Sequence, residues 1–267
     1  MSSTTRASAG DILWPHLREL PAFRALIRAI EARLLGEQGE LPRPLLDIGC
    51  GDGHFAQATL GRADVGVDVH FPSLRQAQRR EVYAGLGAAS AARLPFADGR
   101  FGSVLANCAI EHMPDLDSVL REAARVLRPG GRFVFSVPID RLNRNLFVAG
   151  ALERLGMGGA AARYREWFRR IQVHYHMYSP DEWQRRAEAA GFRVVVRREY
   201  LSPRATRLLE LGHFYGLPNL AARRLFGKWV VWPWRPRFAL EEKVLAPRVA
   251  EDGVPNSSCC FFVAEKA

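Results

Sequence analysis

A run of alternating glycines beside an aspartate is the part of this 267-residue sequence that points most directly to chemistry. Gly49, Gly51 and Gly53 follow an apolar stretch that contains Asp47, and glycines let backbone N–H groups approach a ligand closely. In a dinucleotide fingerprint the third small position would fall on His54, which is too bulky for that helix–strand contact. The spacing predicts a nucleotide-like site of another kind.

A second acid strengthens this interpretation. Asp68 ends the next apolar segment, "VGVDV", where a carboxylate can accept hydrogen bonds from ribose hydroxyls. Cys50 and Cys108 are expected to be small buried apolar side chains rather than nucleophiles. No set of His, Cys and Asp has metal-ligand spacing, so the sequence predicts no metal site.

The elements around these residues alternate between strand and helix. An amphipathic helix over residues 11–36, with its first turn broken by proline, precedes strands at "PLLDIG", "VGVDV", "GSVLAN" and "GRFVFSVP". Helices are predicted to about Leu60, over 72–83, at "LDSVLREAARVL", and from N-cap Ser179 to Gly191. The strands "FRVVVRREY" and "SSCCFFVAEK" follow. This order predicts a parallel sheet with right-handed crossovers.

Four ordered segments resemble one known family. "LLDIGCGDGHF", "VGVDV", "LPFADGRFGSVLANCAIEHMPD" and "VLREAARVLRPGGRFVFSVP" are similar to successive motifs of the class I S-adenosylmethionine-dependent methyltransferases, in the methyltransferase domain 11 group. The resemblance covers residues 45–138 and resumes at 178–200 and in the last strand. It implies a Rossmann-like α/β fold with a seven-stranded, mostly parallel sheet, helices on both faces and an α-rich lid.

The resemblance also implies S-adenosyl-L-methionine as cofactor and a role for each matching residue. Ser90 stands where the family usually has an aspartate for the adenine amino group, and the backbone of Ala91 could share that contact. The other implied cofactor contacts are Asp47, Gly49, Cys50, Gly51 and Gly53 around the methionine, Asp68 on both ribose hydroxyls, Val69 against adenine, and the Asn107 carbonyl near the ammonium.

Methyl transfer to an oxygen nucleophile of high pKa needs a general base, and histidine suits neutral pH. His174 is favoured because "HYHMYSP" resembles the family's segment near the acceptor mouth. His112, in the family's Glu-His position with Glu111, is a second candidate, and His176 is a third. Packing or capping roles for these histidines stay open alternatives.

The basic charge lies mainly in two insertions into the predicted scaffold. The net charge is +10, of which +8 comes from residues 139–178, with seven arginines against three acids, and residues 201–255, with nine basic residues against five. The predicted segments are an N-terminal helical part of the lid at 1–40, a cofactor-binding core at 41–138 that resumes as helix and strand at 179–200, the insertions at 139–178 and 201–255, and a final strand at 256–267.

Aromatic residues among these charges suit a small or lipid-like acceptor, with an anionic membrane surface as peripheral partner. They could instead seal a lid. O-methylation is preferred, and the alternatives are an RNA methyltransferase, disfavoured because the fourth strand ends in "NCAI", a nucleotide-cofactor oxidoreductase, disfavoured by His54, and a non-catalytic S-adenosylmethionine-binding protein. Four cysteines and the lack of an apolar leader or span favour the cytoplasm.

Overall fold

Seven strands form one sheet in the computed structural model, which describes residues 8–267 apart from the side chain of Leu217. In chain order they are β1 (Leu45–Ile48), β2 (Ala63–Asp68), β3 (Tyr83–Ala88), β4 (Phe101–Asn107), β5 (Leu127–Pro138), β6 (Phe192–Tyr200) and β7 (Cys259–Lys266). Their spatial order is β3-β2-β1-β4-β5-β7-β6, and β7 runs antiparallel to both of its neighbours. The predicted seven-stranded, mostly parallel sheet is confirmed.

Helices supply the crossovers and the cover over one edge of the sheet. They are α1 (Ala9–Leu17), α2 (Ala22–Gly36), α3 (His54–Thr59), α4 (Phe71–Arg80), α5 (Leu116–Val126), α6 (Phe147–Arg154), α7 (Gly158–Gln172), α8 (Pro180–Ala189), α9 (Pro203–Tyr215), α10 (Leu217–Phe226) and α11 (Ala239–Val249). The two insertions thus fold as helices α6–α7 and α9–α11. Among the described residues, no helix is long and apolar enough to cross a bilayer.

The N-terminal segment differs from its prediction in one respect. The single helix predicted over residues 11–36 is two helices, and the break lies near Pro21 rather than at Pro15, which α1 contains. Pro21 has no N–H to donate, so a new helix begins after it. Leu26, Ile30 and Leu34 of α2 are buried as predicted, whereas residues 1–7 of the predicted 1–40 segment lie outside the described residues.

One strand lies where the sequence predicted helix. The helix predicted over 72–83 ends at Arg80, and Tyr83–Ala88 form edge strand β3. Its sequence, "YAGLGA", has small residues at most positions and therefore little apolar periodicity. The Tyr83 ring fits because its neighbour Gly66 lacks a Cβ, which would lie 2.9 Å from that ring. A small residue on β2 thus makes room for the side chain of β3.

Candidate active site

The glycine loop leaves β1 at the carboxyl edge of the sheet. Gly49, Gly51 and Gly53 all have positive φ, the conformation that glycine adopts without strain. The Gly51 N–H donates a hydrogen bond of 2.8 Å to Asp68 Oδ2, and Gly53 is the N-cap of α3. A Cβ on Gly49 would lie 2.6 Å from Ala109 Cβ, whereas one on Gly51 would meet nothing within 4 Å. The loop is therefore tightly packed at Gly49 and open at Gly51.

This difference makes a stability prediction. Gly49→Ala should lower the free energy of unfolding by about 3 kcal/mol, because backbone strain and overpacking add. Gly51→Ala should cost only the strain, about 1–2 kcal/mol. Urea unfolding of the two variants checks the ranking, and equal losses would contradict the packing at Gly49.

One cavity lies beyond the ends of β2 and β3 and has the residues predicted to hold adenosine. Asp68, Val69, Ser90 and Ala91 line it, with a volume of about 440 Å³. Val69 is exposed toward solvent, as a residue that lies against a bound ring would be before binding. Asp68 Oδ1 also accepts a 2.7 Å hydrogen bond from the His70 N–H, so its carboxylate is held on both oxygens.

A second cavity, of about 200 Å³, borders the first and has Asp47, Gly49, Cys50, Gly51 and Asn107 in its wall. Asp47 is buried, and burial raises the pKa of its carboxyl to about 7. The Tyr83 hydroxyl donates a 2.6 Å hydrogen bond to Asp47 Oδ2. Strand β3 therefore supplies the partner of Asp47. Gly53 lies outside both cavities and caps α3 instead.

Helix α2 contributes cationic and acidic groups that the sequence analysis missed. Arg24 and Arg28 line the second cavity, and Arg28 Nη1 lies 3.3 Å from the backbone oxygen of Asn107. The same Nη1 donates to the buried Glu31 at 2.7 Å. These residues are spaced for the apolar face of a helix, so no sequence signal separated them from other arginines and glutamates on α2.

His54 ties the glycine loop to the N-terminal helices. Its Nε2 lies 3.0 Å from Nδ1 of His16 on α1, and its Nδ1 lies 3.2 Å from Glu19 Oε2. Both imidazoles are buried. The residue that disfavoured a dinucleotide register is therefore a structural contact between the loop and the lid.

A third cavity, of about 350 Å³, opens beside the first two under the insertions. Its apolar wall comes from α2, α9 and the start of the first insertion, and its polar groups include Glu111, His112, His174 and His213. Cys108 lines all three cavities and so marks where they meet. The predicted bases His112 and His174 are thus brought to the cavity next to the cofactor residues.

The two imidazoles lie close together, with ring centroids 5.0 Å apart. Burial lowers the pKa of His174 to about 4, with a further contribution from His112, so His174 is uncharged at neutral pH. Its Nδ1 is buried and has no hydrogen-bond partner among the described residues. His112 Nδ1 lies 3.0 Å from the Val173 carbonyl. His174 is therefore the imidazole with a nitrogen left for a ligand.

The fold also places groups together that sequence spacing could not show. One ligand atom each from Glu111, His112 and His174 lies within 4.8 Å of the others, although the sequence predicted no metal-ligand set. The prediction failed because the residues come from separate segments that meet only in the fold. Burial raises the pKa of Glu111 to about 8, so without a cation this carboxyl is mostly protonated at neutral pH.

The donors and acceptors along the first two cavities fit a nucleoside joined to an amino acid. Asp68 can receive two ribose hydroxyls, Arg28 can pair with a carboxylate, and the Asn107 carbonyl can accept from an ammonium. The close approach of the chain at Gly49, where a Cβ would clash, supports the same interpretation.

Comparisons with known proteins agree with this arrangement. A family model described as "Methyltransferase domain" matches residues 46–135. The chain is 32% identical over 193 residues to 27-O-demethylrifamycin SV methyltransferase of Amycolatopsis mediterranei, covering 68% of this chain and 65% of that protein. It is 37% identical over 106 residues to malonyl-[acyl-carrier protein] O-methyltransferase of Pseudescherichia vulneris, covering 39% and 42%. The matches thus span less than two thirds of these relatives' lengths.

The fold is also shared by solved structures. A SAM-dependent methyltransferase of Thermotoga maritima superposes with a TM-score of 0.54 over 91% of this chain and 92% of that one, at 18% identity. That likeness concerns the fold alone, and the motif-bearing residues 46–135 supply the sequence match. The chain therefore belongs to the class I S-adenosylmethionine-dependent methyltransferases, of the methyltransferase domain 11 type.

Proposed function

We propose that this protein transfers a methyl group from S-adenosylmethionine to an oxygen atom of a small or lipid-like acceptor. The observation that carries the proposal is the meeting of the two cofactor cavities with a third, largely apolar cavity at Cys108. The names of both curated relatives record methylation at oxygen. An acceptor bound in the third cavity would lie beside the cofactor and away from bulk water.

In this proposal each cofactor contact has a distinct task. Asp68 holds the ribose, Val69 and Ala91 cover the adenine, and Ser90 hydrogen-bonds its edge. Ser90 is exposed and its Oγ accepts from the Ala92 N–H at 3.3 Å, a long contact that leaves the hydroxyl proton to donate. At the other end, Arg28 joins the predicted residues as the partner of the methionine carboxylate.

The bound cofactor supplies an electrophilic methyl on a sulfonium, and the chain's task is to align an acceptor and take up its proton. His174 fits the second task because its buried Nδ1 is unpaired among the described residues and its imidazole is neutral. The burial that keeps it neutral also makes it a weak base, so much of the acceleration must come from orientation. His112 packs beside His174 and keeps it in place.

Transfer of a tritiated methyl group tests the proposal. Purified protein is incubated with labelled S-adenosylmethionine and, in separate reactions, a metabolite and lipid extract or total RNA. We expect label in small molecules extractable into organic solvent. Label confined to RNA would favour the RNA methyltransferase alternative, and the absence of transfer to any fraction would favour a non-catalytic binding protein.

The second insertion supports a lipid source for the acceptor. Residues 211–240 contain five basic residues and no acid. Within them an aromatic patch, defined as Leu225, Phe226, Trp232 and Trp234, is 76%, 63%, 72% and 60% exposed. Aromatic and aliphatic side chains beside arginine and lysine suit the headgroup region of an anionic membrane. Trp229, between them in sequence, lines the acceptor cavity. We propose a peripheral membrane contact here, on the cytoplasmic side.

Vesicle binding measures this contact. The wild-type protein should cosediment with phosphatidylglycerol vesicles, less at high salt because the charges are screened. The double variant Trp232→Ala, Trp234→Ala should bind at least 10-fold more weakly, because each exposed side chain contributes about 1.5–3 kcal/mol on burial. Trp167→Ala, an exposed aromatic on α7 outside the patch, is the control. Equal binding by the double variant and the control would contradict the proposal.

A further inference from the structure

Glu31 is a buried carboxylate of α2 on which four hydrogen-bond donors converge. Arg28 Nη1 and the Asn107 side-chain amide each donate to Oε2 at 2.7 Å. The Tyr200 hydroxyl donates to Oε1 at 2.8 Å, and the Cys108 thiol donates to the same oxygen at 2.9 Å. Helix α2, the end of β4 and the end of β6 thus meet at one side chain.

Two of these donors belong to residues that face the amino-acid end of the cofactor cleft. Arg28 and Asn107 both line the second cavity, and Arg28 Nη1 bridges Glu31 and the Asn107 backbone oxygen. The Asn107 side chain is held from its other end by Ser136, whose Oγ donates to Oδ1 at 2.9 Å. Because its amide is held by Glu31 and Ser136, the Asn107 backbone carbonyl has a fixed direction.

Such a network costs free energy unless it is complete, because a buried carboxylate needs a countercharge and hydrogen bonds. Arg28 supplies the charge, and Asn107, Tyr200 and Cys108 supply the remaining donors. A core that needed only packing could fill this space with apolar side chains. The placement of the ion pair beside the cleft therefore points to ligand recognition.

We propose that Glu31 is a positioning residue for the amino-acid half of the cofactor. It holds a cation, Arg28, and an acceptor, the Asn107 carbonyl, side by side, which is the pattern that a carboxylate and an ammonium on one carbon require. The inference rests on the proposed cofactor site and adds a residue that does not itself contact the ligand.

Two ligands that differ only in their amino-acid half separate this role from a structural one. S-adenosylhomocysteine has the carboxylate and the ammonium, whereas 5′-methylthioadenosine has neither. Glu31→Gln keeps the volume but directs an amide N–H₂ at donors and removes the charge that holds Arg28. By calorimetry, we expect at least 10-fold weaker binding of S-adenosylhomocysteine and less than a 2-fold change for 5′-methylthioadenosine.

Glu37→Gln is the matched control, because Glu37 lies on the same helix and pairs with Arg33 at 2.7 Å and with Arg198. It should leave both affinities unchanged. If Glu31→Gln does not fold, Arg28→Lys keeps the buried positive charge without the planar two-sided reach and should show the same selective loss. Equal weakening of both ligands, or no loss for S-adenosylhomocysteine, would overturn the inference. Failure of the wild-type protein to bind S-adenosylhomocysteine would instead refute the proposed function.

Discussion

Replacing Asp68 with alanine is expected to weaken binding of S-adenosylhomocysteine by at least about 100-fold. Hydrogen bonds to a charged group contribute about 1.5–3 kcal/mol each, and two ribose hydroxyls are lost together. The variant also removes the partner of the Gly51 N–H, at 2.8 Å, and so loosens the loop that faces the methionine. Titration calorimetry at one pH and salt concentration measures the loss.

Asp64→Ala is the control for this variant. Asp64 lies on the same strand, outside the three cavities, where its Oδ2 accepts from the Leu45 N–H at 2.6 Å and from Arg43 at 2.9 Å. Its loss should lower stability and leave the affinity of the folded protein within about 2-fold, since it removes no cofactor contact. An affinity of Asp68→Ala within 3-fold of the wild type would mean that ribose is held elsewhere.

His174→Ala is expected to lower turnover by about 100-fold or more, the range that a general base supplies. Its affinity for S-adenosylhomocysteine should stay within about 2-fold, because His174 lines the acceptor cavity and neither cofactor cavity. His176→Ala is the comparison: Nδ1 and Nε2 of His176 each lie 3.0 Å from a partner, the Tyr178 hydroxyl and the Met113 carbonyl. Unchanged turnover in His174→Ala would remove it from the mechanism.

The pH dependence of the wild-type reaction follows from the same site. The pKa of His174 is lowered to about 4, so the neutral form that accepts a proton prevails above that pH. The contribution of His174 to kcat/KM should be fully present at neutral pH and be lost as the pH falls through about 4. A limb of kcat/KM near pH 6.5 that disappears in His174→Ala would show an ordinary, solvated imidazole instead.

The sequence predicted the cofactor half of the cleft well for a physical reason. Gly49, Gly51, Asp47 and Asp68 lie at the carboxyl ends of parallel strands, and such ends meet at one edge of a sheet. Local spacing therefore determines which of these residues come together. The same reasoning placed Asn107 beside them, because β4 is the other neighbour of β1.

The groups that the sequence did not predict depend on contacts between distant segments. Glu31 accepts from Tyr200, which is 169 positions away, and Asp47 accepts from Tyr83 on a strand with little periodicity. Arg28 lies on an amphipathic helix whose direction over the cleft depends on the break near Pro21. Tertiary packing places these side chains, and one sequence has no local pattern that reports it.

The central claim is that this cleft binds an S-adenosyl ligand rather than a dinucleotide. Calorimetric titration of the purified wild-type protein with S-adenosylhomocysteine and, separately, with NAD⁺ tests it most directly. The account predicts one-to-one binding of S-adenosylhomocysteine and no measurable heat with NAD⁺. Binding of NAD⁺ without binding of S-adenosylhomocysteine would contradict it.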